Sequence, residues 1–145
     1  MKIVIQETSF EPYQAIIDFQ QGLAEKCFGA CATFVGTMRD FNDADQVQSM
    51  FLEHYPGMTE NKIHQICETA NGKWPLQDLL VIHRVGHIQP GEPIVLIATW
   101  AEHRSAAFNA NRFIINELKT HAPFWKCEQT NTRKKWVSTN TDDTT

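Results

Sequence analysis

The fold is decided by residues 79–101, LLVIHRVGHIQPGEPIVLIATWA. Residues 79–85 and 93–101 are the most strand-like segments of the chain, because they are rich in Leu, Ile and Val. The turn-rich HIQPGE lies between them, and this arrangement predicts an antiparallel pair of strands. We expect both strands to be central in the sheet. His83-Arg84 at the end of the first strand could be functional, but a strand end followed by a turn glycine explains it adequately.

The segments upstream of this pair predict two helices and three strands. The strands are residues 2–6, a largely buried strand at 29–38 and residues 49–54, with a polar loop at 39–46. The first helix opens at Glu11-Pro12 and is weakened or ended by Gly22, and the second follows the turn at 55–57 and ends at Trp74-Pro75. The expected core positions are Ile16, Ile17, Phe19 and Leu23 in the first helix, and Ile63, Ile66, Cys67 and Ala70 in the second.

Downstream, a third helix begins near Ser105, a plausible N-cap, and Pro123 forbids its continuation. Its core positions are Ala107, Ala110, Ile114 and Leu118. Residues 125–128 and 134–137 bracket a polar turn and predict a final hairpin. The order of elements predicts an α+β fold with helices packed on a mainly antiparallel sheet.

Length and composition exclude several classes of protein. A chain of 145 residues with 42% hydrophobic residues fits one domain, which we place at residues 1–138, before a frayed polar tail at 139–145. The net charge of −4 gives no support to nucleic-acid binding. Residues 1–10 resemble neither a signal peptide nor a membrane span, so we expect a cytoplasmic protein. In that compartment the four cysteines are expected to be free structural thiols rather than disulfides.

Basic residues gather in residues 103–128, HRSAAFNANRFIINELKTHAPFWKCE, although the chain as a whole is acidic. Arg39 follows a predicted strand, and His103-Arg104 follow another and open a helix. Strand ends and helix N-termini are where anions bind, so phosphate is the candidate ligand. Lys119 and Lys126 flank a Pro-Phe-Trp turn that could lower the pKa of an amine by desolvation. The alternative for Lys119 is a cation that stabilises the helix C-terminus by at most ~1 kcal/mol.

His103 and Lys119 stand at opposite ends of one predicted helix, roughly 22 Å apart at about 1.5 Å per residue. They cannot share a small-molecule site within one subunit. If both serve one substrate, Lys119 and Lys126 come from one chain and His103 and Arg104 from a symmetry mate. The spacing therefore predicts a homodimer.

Other catalytic motifs are missing from the sequence. Cys27 and Cys31 have no Cys or His partners at zinc spacing, and the histidines fit no ligand motif, so no metal site is expected. The sequence contains no phosphate loop, no GxGxxG and no GxSxG, which disfavours ATP use and serine hydrolysis.

Five ordered blocks together resemble the MoaE family, the large catalytic subunits of molybdopterin synthase. They are GACATFVGTMRD, LEHYPGMTE, VIHRVGHIQPGE, AEHRSAAFNA and LKTHAPFWKCE. The resemblance implies an α/β-hammerhead fold and a central dimer in a heterotetramer, with a small ubiquitin-like MoaD-type sulfur carrier at each outer end. It implies sulfur transfer from the carrier's C-terminal thiocarboxylate into cyclic pyranopterin monophosphate, which forms the molybdopterin dithiolene. Neither a metal nor another cofactor is implied.

The resemblance also implies roles for individual residues. Substrate contacts fall on Thr37, Met38, Arg39, His103, Arg104, Lys119, Lys126, Cys127 and Glu128. Arg39, His103 and Arg104 would hold the phosphate. Lys119 would polarise the thiocarboxylate, and Lys126 would assist proton transfer on the pterin.

Cys127 departs from the family, which commonly has a basic residue at this position. Its backbone can still contact substrate, but a side-chain charge is lost. A persulfide on Cys127 is disfavoured, because the resemblance places the sulfur on the carrier.

Two other functions compete with the sulfurtransferase. An adaptor that binds the carrier without turnover would not need the basic residues. A phosphate-ester enzyme is disfavoured by the missing nucleophile and metal motifs.

Overall fold

The computed structural model describes residues 1–23, 27–39, 41–42, 45–130 and 134–137. Its helices are α1 (Pro12–Gln21), α2 (Met58–Lys73) and α3 (Arg104–His121). Its strands are β1 (Lys2–Gln6), β2 (Ala30–Thr37), β3 (Phe41–Asn42), β4 (Asp45–His54), β5 (Leu76–Arg84), β6 (Gly86–Ile88), β7 (Pro93–Ala101), β8 (Phe124–Thr130) and β9 (Lys134–Val137).

The first sheet has the strand order β1-β5-β7-β2, so β5 and β7 are its central strands. β1 pairs with β5 in parallel, and the other pairs are antiparallel. Helices cover both faces. Leu79 and Val81 pack with α2 and α3, whereas Leu80 and Ile82 pack with α1. Burial on both faces explains why residues 79–82 are apolar without alternation.

Helix α3 is fixed to the first sheet by polar side chains as well as by packing. The side-chain amide of the buried Asn111 donates to the carbonyls of Ala32 and Ile97, each at 3.0 Å. The hydroxyl of the buried Thr99 donates to the carbonyl of Ala107 at 2.8 Å. These bonds satisfy polar groups that burial would otherwise penalise, and they set the position of the helix that spans the site.

The second sheet has the order β3-β4-β8-β9, with β6 paired to β4. Its core contains Met38, Met50, Leu52 and Ile88, with Phe124 packed against them. Arg84, the last residue of β5, links the two sheets. Its guanidinium donates to the Glu92 carboxylate at 2.7 Å and to the carbonyl of His87 in β6 at 2.8 Å. This ion pair lowers the pKa of the Glu92 carboxyl. Arg84 therefore has a structural role, in line with the strand-end explanation.

Most sequence predictions of the elements are confirmed. The central antiparallel pair, the final β8–β9 pairing and the α+β class are observed. The expected core positions of the second and third helices are all buried. The C-cap of α1 is Gly22, as expected.

Several predictions were wrong in detail. The segment 39–46 contains β3 and the start of β4, and HIQPGE contains part of β6. The strand β2 is at a sheet edge rather than largely buried, because β7 is its one pairing partner among the described strands. Ile17 is 49% exposed, since it lies on the outer face of α1. The N-cap of α3 is His103, and Ser105 lies inside the helix.

The cysteines are free, as expected, but only Cys67 among them is buried, while Cys27 and Cys31 are exposed. Burial raises the pKa of the Cys67 thiol to about 12. The predicted tail at 139–145 lies outside the described residues. Within the described part of the chain, no helix is long and apolar enough to cross a membrane.

Candidate functional site

Helix α3 separates two groups of predicted site residues. His103 is the residue immediately before its first turn, and Lys119 lies in its last turn. At about 1.5 Å per residue, this 18-residue helix keeps the two ends well beyond the reach of one small ligand. The structure therefore agrees with the separation deduced from the sequence.

Lys126 is the centre of the first group. Its side chain is half-buried in β8, and desolvation lowers the pKa of its amine. The positive charges of Lys119 and Arg39 lower this pKa further, whereas the carboxylate of Glu128 opposes the shift. Arg39, Lys119 and Glu128 of the same chain therefore lie near enough to Lys126 to change its pKa. A larger share of Lys126 is consequently an uncharged amine than in an exposed lysine at the same pH.

The pairing of β4 with β8 decides which side chains face this site. Lys126 is opposite Leu52 and Glu128 is opposite Met50, both members of the second core. Residues directly opposite in an antiparallel pair share a face. Lys126 and the buried Glu128 therefore lie on the inner face of the second sheet.

Cys127 lies on the other face of β8, since successive strand residues alternate. It is opposite Phe51, whose ring contacts His87 with a centroid distance of 4.8 Å. The Cys127 thiol therefore points away from Lys126. This orientation adds a geometric argument against a persulfide on Cys127.

The end of β2 brings Thr37, Met38 and Arg39 to the second sheet. A register irregularity occurs between Gly36 and Thr37, and the next residue, Met38, has its side chain buried in the second core. The Met38 N–H donates to the Glu92 carbonyl at 2.9 Å, and the Met38 carbonyl accepts from Gly91 at 2.8 Å. These bonds fix the backbone from which the exposed Arg39 extends. Direct contacts of Thr37 and Met38 with substrate stay predictions.

The second group, His103 and Arg104, is exposed at the start of α3. The side chain of His103 is 80% exposed, and its Nε2 lies 3.5 Å from a carboxylate oxygen of Glu102. The start of this helix also offers backbone N–H groups and the positive end of the helix dipole. These features make the group suited to contact an anion at the surface.

Two further residues shape these groups, and neither was predicted from the sequence. Gly29 donates to the Ala101 carbonyl at 2.9 Å, and a Cβ at Gly29 would lie 2.3 Å from the Glu102 carbonyl oxygen. Only glycine fits this close to the segment that leads into His103. Thr59, fully buried in α2, contacts the turn between Lys119 and Lys126. No local pattern in the sequence marks either contact, because the partners are distant along the chain.

Among the described side chains, no three His, Cys, Asp or Glu residues are grouped so that they could hold a metal ion. The first group instead offers an amine of lowered pKa, two further cations and a buried carboxylate. This combination is suited to binding anions and to transferring protons.

Comparisons with known proteins show the family to which the chain belongs. The chain is 44% identical to a molybdopterin synthase catalytic subunit from Pseudomonas aeruginosa over 144 residues, which cover 99% of this chain and 94% of the relative. A MoaE protein structure from Burkholderia ambifaria has a TM-score of 0.81 at 43% identity, covering 98% of this chain and 92% of the other. A molybdopterin synthase structure from Staphylococcus aureus has a TM-score of 0.83 at 29% identity, covering 92% and 95%. The family model described as MoaE protein matches residues 5–121. The chain therefore belongs to the MoaE family.

Proposed function

We propose that this chain is the catalytic subunit of a molybdopterin synthase. It transfers sulfur from the C-terminal thiocarboxylate of a small ubiquitin-like, MoaD-type carrier into cyclic pyranopterin monophosphate, which yields the molybdopterin dithiolene. Family membership and the name shared by its relatives support this function. We further propose that residues 1–138 form one catalytic domain and that the protein acts in the cytoplasm.

The observation that carries the proposal is the desolvated amine of Lys126 beside the cations Lys119 and Arg39. Sulfur transfer from a thiocarboxylate passes through negatively charged species, and each transfer also moves protons. An amine with a lowered pKa releases its proton more readily than an exposed lysine does, so it is better suited to transfer protons. Lys119 is suited to polarise the thiocarboxylate, and Arg39 to hold the negative charge of the substrate. An adaptor without catalysis would not need this arrangement.

His103 and Arg104 complete the site from a second copy of the chain. They are too far from Lys119 to reach the same pterin within one subunit, since α3 lies between them. In a two-fold dimer, each site would combine the lysines of one protomer with His103 and Arg104 of its partner. A carrier bound to each large subunit would then give a heterotetramer.

Product formation is the direct test. The purified chain is incubated with thiocarboxylated carrier and cyclic pyranopterin monophosphate, and the dithiolene product is measured. Lys119→Ala should abolish turnover while carrier affinity changes by less than about threefold, because the lysine acts on the reacting group. Lys62→Ala on α2 is the matched control and should keep wild-type turnover. A wild-type chain that forms no product, under conditions in which an authentic synthase works, refutes the proposal.

Mixing inactive variants tests the composite site. Equal amounts of Lys119→Ala and Arg104→Ala chains should regain about a quarter of wild-type activity, because half the dimers are mixed and each contains one complete site. Lys119→Ala mixed with Lys126→Ala is the control. It should regain nothing, since both lysines belong to the same protomer's group. Equal recovery in both mixtures, or none in the first, contradicts the composite site.

A further inference from the structure

The turn between α3 and β8 sets the distance between the two lysines. Lys119 is in the last turn of α3, and Lys126 is near the start of β8. Within the turn, the Ala122 N–H donates to the Leu118 carbonyl at 3.2 Å, and the Phe124 N–H donates to the Ala122 carbonyl at 3.0 Å. Pro123 has no N–H, so its carbonyl is the only backbone hydrogen-bonding group that it can offer.

That carbonyl is bound by Thr59, which is far away in the sequence. The Thr59 hydroxyl donates to the Pro123 carbonyl oxygen at 3.0 Å and accepts the Tyr55 N–H at 3.0 Å. The Thr59 N–H also donates to the Tyr55 carbonyl at 2.9 Å. Because Thr59 is fully buried, water cannot replace these bonds without a rearrangement. Thr59, in the first turn of helix α2, therefore fixes the connection between α3 and β8 that joins Lys119 to Lys126.

A second contact supports the same alignment. The ring of Tyr55 meets the ring of Trp125 edge to face, with a centroid distance of 4.2 Å. Trp125 immediately precedes Lys126 in β8 and is opposite Glu53. The segment around the start of α2 thus contacts both Pro123 and Trp125. This arrangement opposes the repulsion between the positive charges of Lys119 and Lys126.

We propose that Thr59 is a positioning residue, whose hydroxyl bond to the Pro123 carbonyl sets the relative position of Lys119 and Lys126. The inference rests on the proposed function, because it assigns those lysines to the reaction. Thr59 itself does not touch the reacting atoms. Its effect is on alignment, for which a displacement of about 1 Å can cost about a hundredfold in rate.

Three variants test the role of the hydroxyl. Thr59→Val keeps the shape and removes both hydrogen bonds, and Thr59→Ser keeps the hydroxyl. Thr69→Val is the control on the same helix, since Thr69 lies on the exposed side of α2 and also donates its hydroxyl to a backbone carbonyl, that of Gln65 at 2.9 Å. If Thr59→Val does not fold, Thr59→Ala replaces it.

We expect Thr59→Val to lower kcat at least about tenfold with less than a threefold change in KM for the pterin, because alignment rather than binding is lost. Thr59→Ser should restore kcat to within about twofold of wild type, and Thr69→Val should retain it to the same extent. Equal kcat losses in Thr59→Val and Thr69→Val would overturn the inference. So would wild-type kcat in Thr59→Val, or a loss of kcat in a folded Thr59→Ser.

The pKa of the Lys126 amine is a second measurement that tests the role of Thr59, and it does not depend on catalytic activity. In chains with isotopically methylated lysines, NMR follows the protonation of each amine. Loosening the turn should expose Lys126 and move it away from Lys119, so the pKa of Lys126 should rise in Thr59→Val but not in Thr59→Ser or Thr69→Val. An unchanged Lys126 titration in Thr59→Val refutes the positioning role. If the wild-type chain forms no product, the proposed function fails, whereas this titration still decides the role of Thr59.

Discussion

Acid should weaken the fold through His83, which is buried against the start of β8, the strand that carries Lys126. His83 is 8% exposed, and its ring stacks on Phe124 with a centroid distance of 4.0 Å and an interplanar angle of 14°. Its Nδ1 donates to the Arg84 carbonyl at 2.9 Å. Burial lowers the pKa of His83 from the usual 6.5 to about 4, because the buried imidazolium would lose its hydration.

The size of the effect follows from this difference in pKa. The unfolded chain binds a proton at His83 more tightly than the folded chain, so the stabilising contribution is complete above pH 6.5 and is lost as the pH falls towards 4. A tenfold difference in proton affinity is worth about 1.4 kcal/mol, which gives about 3 kcal/mol over the whole range. Between pH values of about 7 and about 5, the free energy of unfolding should fall by about 2 kcal/mol from this group.

Urea unfolding at fixed protein concentration measures this loss. The range above a pH of about 5 is chosen because most carboxylates stay ionised there. His83→Phe keeps an aromatic ring beside Phe124 and cannot titrate. Between a pH of about 7 and about 5, its free energy of unfolding should therefore fall by about 2 kcal/mol less than that of the wild type. His64→Gln replaces an exposed histidine on α2 and should keep the wild-type dependence. If His83→Phe shows the same pH dependence of stability as the wild type, His83 is not the group that weakens the fold in acid.

Three further predictions concern Gly29, Lys119 and Cys127, and Gly72 serves as the control for Gly29. Gly29→Ala should lower the free energy of unfolding by about 2 kcal/mol in thermal denaturation, because its Cβ would press on the Glu102 carbonyl. Gly72→Ala, whose Cβ meets open space inside α2, should instead raise it by up to about 1 kcal/mol. Lys119→Ala should raise the pKa of Lys126 in an NMR titration and Lys119→Arg should not, since only the former removes a neighbouring positive charge. Cys127→Ser should keep turnover within about twofold in the dithiolene assay, because the thiol faces away from Lys126; a large loss would restore a role for the thiol.

The elements that the sequence predicts well are those whose partners follow a regular local pattern. The apolar residues of α2 and α3 recur at helical spacing, and the two central strands are long enough to be identified by composition. The strands β3 and β6 are too short for that. The partner of β6 in β4 is distant along the chain, so no local pattern indicates that pairing. The strand β3 pairs with the adjacent start of β4, but its two residues are too few to show an alternating pattern. The exposure of Ile17 likewise depends on where the sheet lies relative to α1.

The same distinction applies to the site. The separation of His103 from Lys119 follows from the length of one helix and could be deduced in advance. The grouping of Lys126 with Arg39 depends on β8 pairing with β4 and on β2 ending beside the second core, which are tertiary facts. The direction of the Cys127 thiol depends on strand register, because a slip by one residue would exchange its face with that of Lys126. Thr59 was missed for a similar reason, since Pro123 is distant in sequence.

The pairing of β4 with β8 also bears on how the protein is made. During synthesis β4 leaves the ribosome early, whereas β8 follows only after both remaining helices and the central strands have been translated. Until then Met50 and Leu52 can pair only with β6 on one side, and their other edge lacks β8; unpaired apolar edges of this kind are prone to aggregation. The first sheet can assemble while the chain is still growing, but the lysine-bearing face is completed last. A nascent chain stopped before residue 124 would therefore carry most of the fold and none of the completed site.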